Sequence, residues 1–115
     1  MKYSKNGFWI KKENDQYTIG LSEKGQDDFG EVTFVSLEAD ETLTTDSTIL
    51  SIEAEKAVSS LTSPLKGNVV KVHQELEDAP ELLNSEDPNE NWIIVLTDVD
   101  EASYEALQNE SGLTE

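Results

Sequence analysis

The chain has 115 residues, 25 of them acidic against 8 lysines and no arginine, for a formal net charge of −17. Its length suits one compact domain, expected over 1–115, and its charge disfavours nucleic acid and anionic membranes as partners while favouring proteins with basic docking faces. No cysteine is present, which excludes disulfides, iron–sulfur ligation and thiol catalysis, so any sulfur redox chemistry has to arrive on a cofactor.

Met1-Lys2-Tyr3-Ser4-Lys5 leads into no apolar stretch of signal-peptide type and no run reaches the length of a membrane span, so a cytoplasmic location is expected. Phe8 to Lys12 reads as a first strand, Asn14-Asp15 as a turn, and Gln16 to Leu21 as the returning strand of a hairpin. Ser22 to Gly30 opens on a capping serine and closes on a glycine, which predicts a short helical segment. Glu31 to Leu37 alternates apolar and polar residues at the period of a half-buried strand. Ala39 to Ser47 is polar and turn-rich. Thr48 to Ala54 and Val58 to Ser63 are predicted partners joined by the short connection Glu55-Lys56-Ala57. Pro64-Leu65-Lys66-Gly67 is a turn, and Asn68 to His73 a strand. Pro80 to Asn84 is a helical turn with proline at its start. Trp92 to Leu96 is a dense apolar strand expected at the centre of a sheet. Asp100 to Leu107 is a short C-terminal helix that Asp100 can cap, with Tyr104 and Leu107 on one face. Many short strands and no long helix predict a small all-β sandwich or barrel, with Trp9, Trp92 and Phe34 in its core.

Lys56 stands out by position. In Ile52-Glu53-Ala54-Glu55-Lys56-Ala57-Val58 it falls at the tip of a predicted hairpin, projecting into solvent. A long flexible stem ending in a primary amine is what a post-translational acylation site requires. Most lysines at such turns are merely solvated, and local spacing alone does not separate the two readings.

The wider pattern does. Glu53-Ala54-Glu55-Lys56-Ala57-Val58-Ser59 resembles the lipoylation motif of the glycine cleavage H-protein family, in which Glu-x-x-Lys-Ala surrounds the modified lysine. Pro64-Leu65-Lys66-Gly67-Asn68-Val69-Val70 resembles the family's Pro-x-x-Gly-x-Val-Val turn and strand. Leu76-Glu77-Asp78-Ala79-Pro80-Glu81-Leu82-Leu83-Asn84, then Asp87-Pro88 and Trp92-Ile93, match further blocks in order, as do Gly20-Leu21 through Gln26 and Gly30 to Val35 upstream. The resemblance implies a lipoyl-type barrel-sandwich hybrid with short helical turns. It also implies lipoate attached to Lys56, with Glu53, Glu55 and Ala57 as the recognition motif around it. The dithiolane of such an arm carries electrons or a one-carbon aminomethyl group between enzymes, and the carrier itself is not a catalyst. The implied partners are a lipoate ligase or lipoyltransferase, together with the glycine cleavage enzymes and dihydrolipoyl dehydrogenase. A monomer is expected.

Two departures bear on the role. Gly7-Phe8-Trp9 stands where the family usually has His-Glu-Trp, and a phenylalanine accepts no charge-assisted hydrogen bond from a cationic arm. Lys24-Gly25-Gln26 puts a lysine where many members have an aromatic or histidine, adding positive charge near such an arm. Both point to the shorter bacterial H-like carriers that relay lipoate, some of them linked to a sirtuin and a macrodomain protein that add and remove ADP-ribose. On that reading Asp27 is the acidic acceptor, against the alternative of a solvated acid in a helical turn.

A biotin carrier is disfavoured because Glu55 and Ala57 flank the lysine where methionines are usual. An unmodified acidic binding module is the remaining alternative to a carrier. His73, a lone histidine without spaced partners, makes a poor metal site. Glu75 to Glu81 lacks calcium-loop spacing. No nucleophile–histidine–acid set or phosphate loop is visible.

Overall fold

The computed structural model describes residues 1–112, so the last three positions of the expected 1–115 unit lie outside the described residues. In chain order the elements are β1 (Lys2–Tyr3), β2 (Phe8–Glu13), β3 (Gln16–Leu21), α1 (Glu23–Phe29), β4 (Val32–Leu37), β5 (Thr42–Leu43), β6 (Thr48–Ala54), β7 (Val58–Thr62), β8 (Gly67–Val72), α2 (Glu75–Asp78), a 3₁₀ turn (Pro80–Asn84), α3 (Pro88–Asn91), β9 (Trp92–Thr97) and α4 (Glu101–Glu105).

Every strand pairing is antiparallel. β1-β2-β3-β9-β8-β5 form a six-stranded sheet, and β4-β6-β7 form a three-stranded one. The two sheets share one apolar core. Ile10, Ile19 and Ile94 enter it from the larger sheet, and Val35, Leu50 and Ile52 from the smaller. The architecture is the strand-rich two-sheet sandwich expected from the sequence, with β9 in the interior of its sheet.

Two positions in the first hairpin show why the sequence folds this way. Asn14 takes φ 55° in the turn between β2 and β3, a left-handed conformation that asparagine tolerates. Trp9 lies opposite Gly20, and a Cβ on Gly20 would fall 2.3 Å from the indole ring. Only glycine lets that ring lie flat on the neighbouring strand. The buried indole Nε1 then donates to Asn91 Oδ1 at 2.8 Å.

Four expectations need correction. Phe34, expected in the core, is 48% exposed. The β4–β6 register shifts between Val32 and Phe34, and this bulge turns Val32 and Val35 inward together while Thr33 and Phe34 face out. The polar stretch Ala39 to Ser47 contains β5, whose Leu43 is fully buried. The C-terminal helix is shorter than expected. Asp100 occupies its N-cap position without a side-chain bond to the helix backbone, accepting instead from Ser103 Oγ at 3.1 Å. Trp92, also expected in the core, is only half-buried, stacked on His73 with ring centroids 4.2 Å apart, while Tyr104 is buried edge-on against Tyr17.

Candidate functional site

The site is built where the β6–β7 hairpin meets the end of α1. Ser22 caps α1, its Oγ accepting from Gly25 N at 3.2 Å. Gly30 ends the helix at φ 73°, with its N–H donating to Gln26 O. The junction is fixed from outside by the segment that follows α2. Gln26 Nε2 donates to Leu83 O at 2.8 Å and to Ser85 O at 2.6 Å. The Asn84 side chain pairs with the Val32 backbone in both directions, at 2.8 and 3.1 Å. Asn84 thereby imitates one residue of a neighbouring strand and closes part of the free edge of β4. The Pro-Glu-Leu-Leu-Asn block, read from the sequence only as a helical turn, has the physical task of holding this junction.

Strands β6 and β7 pair from Thr48↔Thr62 to Glu53↔Val58. Ala54 and Ala57 close the tip, Ala54 N donating to Ala57 O at 2.9 Å and Ala57 N to Ala54 O at 3.4 Å. Glu55 and Lys56 are therefore the two loop residues, and both are exposed. The tip rests on the end of α1 and the start of the connection to β4 through three hydrogen bonds. Glu55 N donates to Glu31 O at 2.8 Å, Lys56 N to Phe29 O at 2.8 Å, and Lys56 Nζ to Asp27 O at 2.9 Å. Carbonyls at a helix C-terminus carry partial negative charge and suit an ammonium. Gly30 permits this contact, because a Cβ there would stand 3.0 Å from Glu55 Cβ and 3.4 Å from Lys56 Cγ.

Lys56 differs in its surroundings from five of the seven other lysines. Lys2, Lys11, Lys12 and Lys24 each form an ion pair with a carboxylate, and Lys71 lies over the Trp92 ring. Among the described residues the Lys56 ammonium makes no ion pair, and its hydrogen bond goes to a backbone carbonyl. An exposed primary amine held by one displaceable contact fits a group that has to be joined to it by an amide bond.

The other sequence-predicted positions fall as follows. Glu53 is exposed on β6, and Ala57 is half-buried at the start of the return. Asp27 is exposed, and it is its backbone carbonyl that touches Lys56. Phe8 is completely buried, so its position supplies no acceptor to anything outside the core. Lys24 pairs with Asp28 at 2.6 Å, one helical turn along α1. The charge expected near the arm is thus taken up by a neighbouring carboxylate. The sequence marks Gly30 as the close of a predicted helix, but not that it seats the hairpin tip or that the Phe29 and Asp27 carbonyls receive Lys56. Among the described residues no group of three or more His, Asp or Glu side chains is placed to hold a metal ion, and no helix is long and apolar enough to cross a membrane.

A family model described as "Glycine cleavage H-protein" matches residues 1–115. A glycine cleavage system H protein from Listeria innocua serovar 6a is 42% identical over 106 residues, covering 91% of this chain and 85% of the relative. One from Staphylococcus epidermidis is 39% identical over 107 residues, covering 92% and 85%. Among solved structures, a glycine cleavage system H protein from Mycobacterium marinum superposes with a TM-score of 0.71 at 23% identity, over 84% of this chain and 81% of that one.

Proposed function

The chain belongs to the glycine cleavage H-protein family, and on that premise we propose that Lys56 is the residue that bears its lipoyl group. Members of this family are carriers rather than catalysts, with lipoate joined covalently to a lysine. The bound dithiolane supplies the redox and group-carrying chemistry. What the chain supplies is a fixed point of attachment. The observation that carries the assignment is the exposed Lys56 amine at a hairpin tip that three hydrogen bonds tie to residues 27–31 at the end of α1. Glu53, Glu55 and Ala57 frame it as the recognition motif, and residues 1–115 act as one lipoyl-binding unit, monomeric and cytoplasmic.

Intact-mass spectrometry tests this directly. The full chain is incubated with lipoate, ATP and a lipoate ligase beside a Lys56→Arg control. One lipoyl increment on the wild type and none on the control is expected. An increment on both removes the assignment.

The carrier serves either as a lipoate relay or as the aminomethyl shuttle of glycine cleavage. The burial of Phe8 favours the relay, since that position offers no carboxylate to a cationic arm. The printed names of relatives about 40% identical favour glycine cleavage. Reconstitution with the decarboxylase, aminomethyltransferase and dihydrolipoyl dehydrogenase separates the two: glycine-dependent methylamine loading of the arm supports the shuttle, and lipoyl transfer to a second acceptor protein without it supports the relay. Control of the relay by a sirtuin and a macrodomain protein rests on the exposure of Asp27. A mass map after treatment with such a sirtuin and NAD that lacks an adduct at Asp27 removes that reading.

A further inference from the structure

Among the described residues the large apolar side chains exposed to solvent are Met1, Phe34, Val58 and Val70. Two of them flank the attachment hairpin. Phe34 lies opposite Glu53 in the β4–β6 pair, and Glu53 lies opposite Val58 in the β6–β7 pair. Directly opposed residues of antiparallel strands point to the same face with Cβ atoms about 5 Å apart. Phe34, Glu53 and Val58 therefore form one row across the solvent face of the smaller sheet, roughly 10 Å long, ending two residues from Lys56. Phe34 is 48% and Val58 79% exposed. The bulge in β4 turns Phe34 to this face, and the next outward row, Ser36, Ser51 and Ser60, is polar. The apolar character is confined to the end that carries the lysine.

We propose that the row Phe34–Glu53–Val58 is the docking surface for the enzyme that acylates Lys56, a partner whose matching surface has an apolar centre ringed by basic residues. This rests on the reading of Lys56 as the acylated residue. The charge argues for such a partner. Asp27, Glu31, Glu53 and Glu55 stand around the hairpin tip, all exposed, and none of them forms an ion pair among the described residues. They are available to lysines or arginines of another protein. Reach argues for the loading enzyme over those that use the finished arm. An enzyme served by the arm meets its far end and can stand off from the hairpin. The loading enzyme has to close on Nζ itself: the Nζ–carbon bond forms as the bond from the lipoyl carboxyl carbon to adenylate breaks, AMP leaves, and the amine gives up its proton. A surface two residues from the lysine is covered whenever that happens.

The test measures loading kinetics of the full chain by intact mass, with purified lipoate–protein ligase, lipoate and ATP. Phe34→Thr/Val58→Thr keeps strand-favouring residues at both positions while removing apolar area, and Val58→Thr alone alters a side chain that is 79% exposed. Val70→Thr, on the other sheet and as exposed as Phe34, is the control. The KM of the double variant for the carrier is expected to rise at least tenfold with kcat within twofold, and Val70→Thr to stay within twofold of wild type throughout. A Lys56→Arg chain keeps the row and is expected to inhibit wild-type loading. The same chain with both threonines inhibits at least tenfold more weakly. Loading of the double variant within twofold of wild type, or equal inhibition by the two Lys56→Arg chains, overturns the proposal. A wild type that takes no lipoyl group fails at the attachment step, a different outcome that overturns the reading of Lys56 and the docking surface with it.

Discussion

Replacing Gly30 by alanine tests whether the attachment hairpin is seated on α1 as described. Gly30 adopts φ 73° and ψ −158°, a region that is essentially restricted to glycine and costs other residues of order 1–3 kcal/mol. The added Cβ would also stand 3.0 Å from Glu55 Cβ and 3.3 Å from Glu55 Oε1. The carboxylate can swing away, but the Cβ is fixed to the hairpin backbone, so the tip has to lift by a few tenths of an ångström. Against this, alanine restricts the unfolded chain and returns about 0.4–1 kcal/mol. The backbone effects alone net to about 0–2.6 kcal/mol, and lifting the tip adds to them, so a loss of at least about 1 kcal/mol is expected, a fall of roughly 4 °C or more in Tm for a domain of this size. Urea denaturation reports the stability, and the loading assay reports the position of Lys56. Both are expected to fall, with loading reduced further than the unfolded fraction explains. A Gly30→Ala protein within 0.5 kcal/mol of wild type, loading at the wild-type rate, would refute the close seating of Glu55 and Lys56 on the end of α1.

Leu43→Ala is expected to cost about 2–5 kcal/mol in urea denaturation, as for a fully buried leucine, and a change under 0.5 kcal/mol would mean that β5 does not close the core. Trp9→Phe leaves Asn91 Oδ1 buried without the indole donor that now reaches it at 2.8 Å, and a destabilisation of about 1–3 kcal/mol is expected in the same assay. The Lys12 ammonium is held above its usual 10.5 chiefly by its hydrogen bond to Glu101. A raised folded-state value means that the associated stability is fully present below about pH 10.5 and is lost as pH rises beyond it. The stability gap between wild type and Glu101→Gln is thus expected to be constant from pH 7 to 9 and to close above 10.5. A gap that widens with pH contradicts the pairing.

Much of the fold was legible because local signals agreed. Gln16–Leu21 and Thr48–Ala54 begin and end where β-branched and apolar residues meet turn residues, and both strands match their predicted bounds. Ser22 and Gly30 marked α1 by cap chemistry that depends only on neighbouring backbone. The failures have tertiary causes. Phe34 obeys the alternation expected of a strand until a bulge, set by pairing with β6, reverses its face. Leu43 is one apolar residue among polar ones, and only the two-residue bridge to β8 takes it inside. Lys56 was legible through its motif. Its seat was not, because Asp27 O, Phe29 O and Glu31 O are backbone atoms that every residue type carries, and their convergence depends on the distant 83–85 segment holding α1 through Gln26 and β4 through Asn84.

The two-residue turn at the hairpin tip also sets a length scale. With the Lys56 backbone bonded to Phe29 O and its neighbours closed by Ala54 and Ala57, the pivot of the arm is stationary, and rotation about side-chain bonds accounts for its sweep. The space searched is then a shell of fixed radius centred on one Cα. A tether confined in this way presents its cargo locally at millimolar levels or above, whatever the protein concentration in bulk. Residues inserted into the turn would add a second, floppy segment in series. The sweep would widen, and the local concentration at any one visiting active site would fall roughly as the −3/2 power of the lengthened tether. A short, glycine-free turn with both flanks tied down thus trades range for frequency of encounter.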